Sequence, residues 1–154
     1  MVKNLSIEND EQFAINKNIV HNVVAAVKKE LNFSISFLQI NFVSSQYIIK
    51  LNEQYLKHEG STDIITFDYS EENNNENNLD GECFICVEVA EENAKKFDVS
   101  IDLELIRLVV HGILHLLAYD DIEEDDRKVM KEKENELVQK FENISYEVIS
   151  GYDK

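Results

Sequence analysis

The sequence predicts a single α+β domain over residues 1–154, with a sheet of about four strands packed with about five helices and a central helix carrying His-x-x-x-His. Three observations lead there. Some segments repeat apolar residues at helical spacing and others alternate them as strands do. The two kinds interleave in the order β-α-β-α-β-β-α-α-α. The chain has no proline, no internal repeat and no linker-like stretch, and 154 residues suffice to bury a core of real size.

Residues 2–8 read as a short first strand. From Ile15 to Leu31 the apolar positions 19, 20, 23, 24, 27 and 31 form a helical stripe. "FSISFLQINFV" alternates, slipping by one residue near 37–38, which predicts a strand with an irregularity there. Ser44 and Ser45 are capping residues for a second helix to about Lys57, with Tyr47, Ile48, Leu51 and Tyr55 on its inner side. "STDIITFDY" reads as the third strand. The polar, Asn-rich run 70–81 reads as a solvated loop, Glu82–Val89 as a fourth strand and Ala90–Phe97 as a helix. Ser100 can cap an apolar helix over 101–118, and helix formers continue from Ile122 to about Asn143.

Composition narrows the function. With 31 acids against 15 bases, the net charge is −16. Such a surface repels phosphate backbones overall, which disfavours non-specific nucleic-acid binding but leaves room for a local basic patch. The first residues carry no apolar secretory segment, and the longest apolar stretch, Leu103–Tyr119, is interrupted by charge and histidine. The expected compartment is the cytoplasm. Cys83 and Cys86 are three apart in a strand, so they face opposite sides and read as buried structural thiols rather than a redox or metal pair.

The chemistry concentrates in "HGILHLLAYDD", residues 111–121. Residues four apart on a helix project from one face, so His111 and His115 can offer two imidazole nitrogens to one point, as zinc-binding helices do. The alternative is two core histidines bonded to backbone or water. Beyond Leu117 the apolar periodicity breaks, and the chain carries Asp120 and Asp121. Asp121, ten residues after His111, is a legitimate third zinc ligand, and three protein ligands with an open position describe a catalytic site. Asp120 is the rival ligand, and it or Tyr119 can instead orient a ligand from behind. Two histidines with a carboxylate also suit Fe(II).

These residues resemble the signature of the YbeY-type rRNA maturation factors, H-G-x-L-H-L-x-G-Y-D-H. Seven of its nine specified residues are present, with Ala118 in place of glycine and Asp121 in place of the third histidine. Upstream, Leu51, Asn52, Tyr55, Thr62, Asp63 and Phe67 are similar to the family's Leu-Asn…Tyr-Arg…Thr-Asp…Phe block. Gly81 matches its Gly-Asp-Ile strand, with Glu82 in the aspartate position. The family's arginine after the tyrosine is Leu56 here. The replaced glycine suits left-handed geometry at a helix end.

The resemblance implies a metal-dependent, single-strand endoribonuclease acting in rRNA maturation and ribosome biogenesis, with one Zn²⁺ per chain on His111, His115 and Asp121. It implies structured RNA, including rRNA, as substrate and ribosomal subunit proteins as further partners. Candidate general bases are Glu82 and Asp63. Candidate RNA contacts are Lys50, Lys57, His58 and Arg107. A metallopeptidase helix reads H-E-x-x-H with a glutamate base, and Gly112 stands in that place. The competing functions are a non-catalytic metal-binding assembly factor and a metal-dependent hydrolase of another substrate.

Overall fold

The structure, a computed structural model, describes residues 1–56, 62–70, 77–119, 123–142 and 146–151, with Leu56 described by its backbone alone. Three parallel strands form most of the sheet: β1 (Leu5–Asn9), β3 (Ser34–Val43) and β5 (Asn78–Cys86). β4 (Ile64–Asp68) adds antiparallel to β5, giving the order β1-β3-β5-β4. The helices are α1 (Lys17–Leu31), α2 (Ser45–Leu51), α3 (Val87–Phe97), α4 (Ile101–Leu116) and α5 (Glu124–Glu142). A second, two-stranded sheet pairs β2 (Ala14–Ile15) with β6 (Ile149–Ser150).

Alternation along the strands divides the sheet into two faces. Leu38, Ile40 and Phe42 of β3, with Leu79, Cys83 and Ile85 of β5, join the core that contains α1, α4 and α5. Val43, Phe84, Cys86 and Ile65 turn to the other face, where Ile48 and Leu51 of α2 cover them. The two cysteines therefore sit in different clusters, both buried and both free, as their spacing on a strand requires.

Several elements depart from the expectations. β5 starts at Asn78 inside the supposed loop, because Leu79 pairs with Ile35 and is fully buried. It stops at Cys86 rather than Val89, because Val87, Ala90 and Ala94 are buried at helical spacing and begin α3 early. The irregularity in β3 lies between Ile35 and Phe37, slightly before its expected place. α2 is shorter than expected and runs into a π-helical turn over Asn52–Leu56. Tyr47 and Tyr55 are about half exposed, at 48% and 58%, and lay their rings against Phe84 and Phe67 instead of entering the core.

α4 is the central helix. Ser100 caps it by accepting from the Leu103 backbone N–H at 3.0 Å. In its first turn the buried Asp102 accepts from the Val148 and Ile149 N–H groups at 2.8 and 3.1 Å, tying the β6 segment to the helix. Two glycines set how closely α4 approaches the sheet. A Cβ on Gly112 would meet Cys83 Sγ at 2.7 Å, and one on Gly81 would meet Leu116 Cδ2 at 2.7 Å and the Phe67 carbonyl at 2.6 Å. The helix that bears the histidines is thus seated directly on β5.

Candidate functional site

α4 buries nearly its whole circumference, yet His111 is only partly buried and His115 is exposed. Their four-residue spacing puts them on one face, which looks toward α5 at His111 and toward the edge strand β4 at His115. A polar group from a different element engages each ring at Nδ1. Glu134 Oε1 of α5 lies 2.8 Å from His111 Nδ1, and Thr66 Oγ1 of β4 lies 3.0 Å from His115 Nδ1. An ionised carboxylate only accepts, so the Glu134 bond puts the proton on His111 Nδ1 and the neutral ring's lone pair on Nε2. Holding one ring nitrogen in this way is how proteins ready the other for a metal.

Glu134 is itself firmly held. Its second oxygen accepts from Arg107 Nη1 at 2.5 Å and Lys131 Nζ at 3.2 Å, and Arg107 also donates to Asn135 Oδ1 at 2.8 Å. Burial acts to raise the Glu134 carboxyl, but the hydrogen bonds and charges of His111, Arg107 and Lys131 outweigh it and bring it down to about 2.

Beside His111 opens a cleft of about 900 Å³ between α3, α4, α5 and the start of β4. Asp63 lines it and accepts from Asn93 Nδ2 at 3.2 Å, and the same amide reaches Glu104 Oε2 at 3.4 Å. Burial raises the Glu104 carboxyl, only partly offset by Asn93 and Arg107. Arg127 and Lys131 bring positive charge to the cleft wall. The same wall carries Asp63, Glu104, Glu134 and Glu142, so the cleft is mixed in charge.

After α4 the chain turns through a left-handed residue. Ala118 has φ 71°, its N–H reaches the His115 carbonyl at 3.1 Å, and the Tyr119 N–H reaches the Leu114 carbonyl at 3.0 Å. Those two bonds are the Schellman pattern, whose reversal point favours glycine. Tyr119 is partly buried against the core. Asp120 and Asp121 follow directly but lie outside the described residues, as do Lys57 and His58. Among the described residues, no three His, Cys, Asp or Glu side chains converge as a metal site.

The expected residues do not all gather. His111, Asp63 and Arg107 line the cleft. Glu82 does not join them. It precedes Cys83 on β5, and Cys83 faces α4, so Glu82 points to the opposite side of the sheet. There it accepts from Gln39, Asn41 and Tyr69 at 3.1, 2.9 and 2.9 Å, which excludes it as a base beside the histidines. Lys50 is exposed on α2, which also packs on that far face. Arg107 is committed to Glu134 and Asn135 rather than offered outward. Glu134, Arg127 and Lys131 were absent from the sequence expectations. Their spacing of four and three along α5 puts them on one face, the only local sign they share.

A model of the endoribonuclease YbeY family matches residues 3–142 of this chain. The chain belongs to that family. An endoribonuclease YbeY of Chlorobium limicola is 34% identical over 137 residues, which are 89% of this chain and 92% of the relative. One of Flavobacterium johnsoniae is 41% identical over 105 residues, 67% of this chain and 73% of the relative. The fold is similar to the solution structure of a Thermotoga maritima protein, with a TM-score of 0.62 and 29% identity over 88% of this chain and 87% of the other. Among the described residues, no helix is long and apolar enough to cross a membrane. Against the YbeY signature, the structure explains two positions. Gly112 is required by the closeness of Cys83, and the residue before Tyr119 must turn left-handed, which Ala118 does.

Proposed function

We propose that this YbeY-family chain is a metal-dependent endoribonuclease that cleaves single-stranded RNA in rRNA maturation. Its expected setting is the cytoplasm, with ribosomal subunit proteins as protein partners. One observation carries the metal dependence: two imidazoles stand one turn apart on α4, with a neighbouring element engaging Nδ1 of each. That donor set fits a divalent ion, Zn²⁺ by preference and Fe²⁺ as the alternative. His111 and His115 would hold it, with Asp121 completing the set after the turn at Ala118. When bound, the ion supplies Lewis acidity, lowering the pKa of water from about 15.7 toward about 7 and drawing charge from a phosphoryl oxygen.

The chain's own residues supply the rest. Arg127, exposed on the cleft wall, is the cation that attracts and orients the phosphodiester. Asp63 is a carboxylate in the same cleft and is the candidate to accept a proton there, with Asn93 fixing its orientation. Gly112 argues against peptide hydrolysis. The position that carries the glutamate base in peptidase helices is pressed against Cys83, with no room for a side chain.

The test is cleavage of an rRNA fragment by purified protein, before and after chelation and after Zn²⁺ is returned. Cleavage should stop on chelation, recover with the metal and fail in His111→Ala and His115→Ala. Undiminished cleavage by the chelated protein would overturn the proposal. Metal content then places the third ligand. Asp121→Ala should lose the ion and Asp120→Ala keep it, and the reverse would move the ligand to Asp120.

A further inference from the structure

We infer that Glu134 is the positioning residue of the histidine site, fixing the tautomer and orientation of His111 so that Nε2 faces the metal position. The inference rests on the proposed metal role of His111. It goes beyond that role by making α5, which donates no expected ligand, part of the site.

The argument begins with how Glu134 is held. Arg107 and His111 stand four residues apart on α4, so their side chains leave the same face one turn apart. They divide the two oxygens of one carboxylate on α5: Arg107 and Lys131 donate to Oε2, and His111 meets Oε1. With Oε2 fixed, Oε1 can move little, and its direction sets the plane of the imidazole. Glu134 is 4% exposed. A carboxylate that buried needs strong donors, and the three it has come from two helices. An ion pair that merely fastened α5 to α4 would be complete with Arg107 alone. The 2.8 Å approach of the other oxygen to His111 needs its own explanation, and fixing the ring provides one.

The experiment compares Glu134→Gln, Glu134→Asp and Val138→Ala in the full chain. Val138 is a fully buried α5 residue, so its truncation loosens the helix without removing a polar contact. Zn²⁺ affinity is measured by titration against a competing chelator, and the His111 tautomer by nitrogen NMR of the metal-free protein. Glu134→Gln should weaken Zn²⁺ binding by about ten- to a hundredfold and change the tautomer balance of His111. Glu134→Asp keeps the charge for Arg107 and Lys131 but withdraws the oxygen from the ring, so it should fold and still bind Zn²⁺ more weakly. Val138→Ala should lower stability and bind as the parent does. Unchanged tautomer and affinity in both Glu134 variants would overturn the inference, as would an equal loss of affinity in Val138→Ala. If the parent protein binds neither Zn²⁺ nor Fe²⁺, the proposed metal role fails, and the His111 tautomer in Glu134→Gln still decides the role of Glu134.

Discussion

Thr66 and His115 meet where the edge strand β4 passes α4, with the threonine Oγ1 3.0 Å from the imidazole Nδ1. Thr66 pairs with Cys83 across the β4–β5 ladder, so it shares the sheet face on which α4 lies. The sheet therefore orients one histidine while α5 orients the other. Thr66→Val keeps the shape and β-branching but removes the hydroxyl. Zn²⁺ affinity should fall about tenfold with little change in thermal stability, and Thr66→Ser should restore it. Unaltered affinity in Thr66→Val would mean that other contacts set the His115 ring.

Gly112 yields a prediction about stability. A methyl group there would lie 2.7 Å from Cys83 Sγ and 3.2 Å from Ile64 Cδ1, side chains of the strands β5 and β4 beneath the helix. Alanine is the better helix former, so propensity alone predicts a gain of about 1 kcal/mol. Overpacking costs about 1–3 kcal/mol and should win. Gly112→Ala should unfold at lower denaturant concentration, and adding Cys83→Ala should recover part of the loss. Strictly additive effects of the two substitutions would show that the glycine is not there for Cys83.

What was legible in the sequence was local. Ser100, the apolar run behind it and the break after Leu117 mark α4 without reference to the rest of the chain. The interleaved periodicities give the larger sheet and all five helices. The β2–β6 pair escaped because two residues per strand carry no periodicity. Glu134 escaped for a different reason. Its partners His111 and Arg107 lie 23 and 27 residues earlier, and no pattern within α5 says which helix it will meet. The side taken by the candidate base Glu82 was not legible either, because strand parity alone does not say which face meets α4. It is the neighbouring Cys83 that faces the histidine helix, so Glu82 must face away.

The left-handed turn at Ala118 follows from the sequence and can be measured. An L-residue at φ 71° is strained by about 1–2 kcal/mol relative to glycine. Ala118→Gly removes the strain but gives the unfolded chain more freedom, which offsets part of the gain. The net should be about 1 kcal/mol of stabilisation, or a Tm higher by about 2–4 °C for a chain of this size. A lower Tm would mean that the strain at Ala118 is outweighed by the freedom glycine gives the unfolded chain.

The last prediction concerns Glu104, on the wall of the cleft. It is 4% exposed, and burial raises its carboxyl above the ordinary 4.5, with the Asn93 hydrogen bond and Arg107 opposing and the negative charges of Asp63 and Glu134 reinforcing. Its sign is opposite to that of a salt-bridged acid. Above the folded-state value the buried charge destabilises the native protein. As pH falls, the folded carboxyl takes up its proton before the unfolded one does, so stability is regained as the pH drops toward 4.5. Glu104→Gln removes the ionisation and keeps an oxygen for Asn93. The variant should melt at a higher temperature than the parent at pH 8, and the difference should shrink steadily toward pH 5. An equal difference at both pH values, or a variant less stable at pH 8, would show that Asn93 and Arg107 already neutralise the cost of burying this charge.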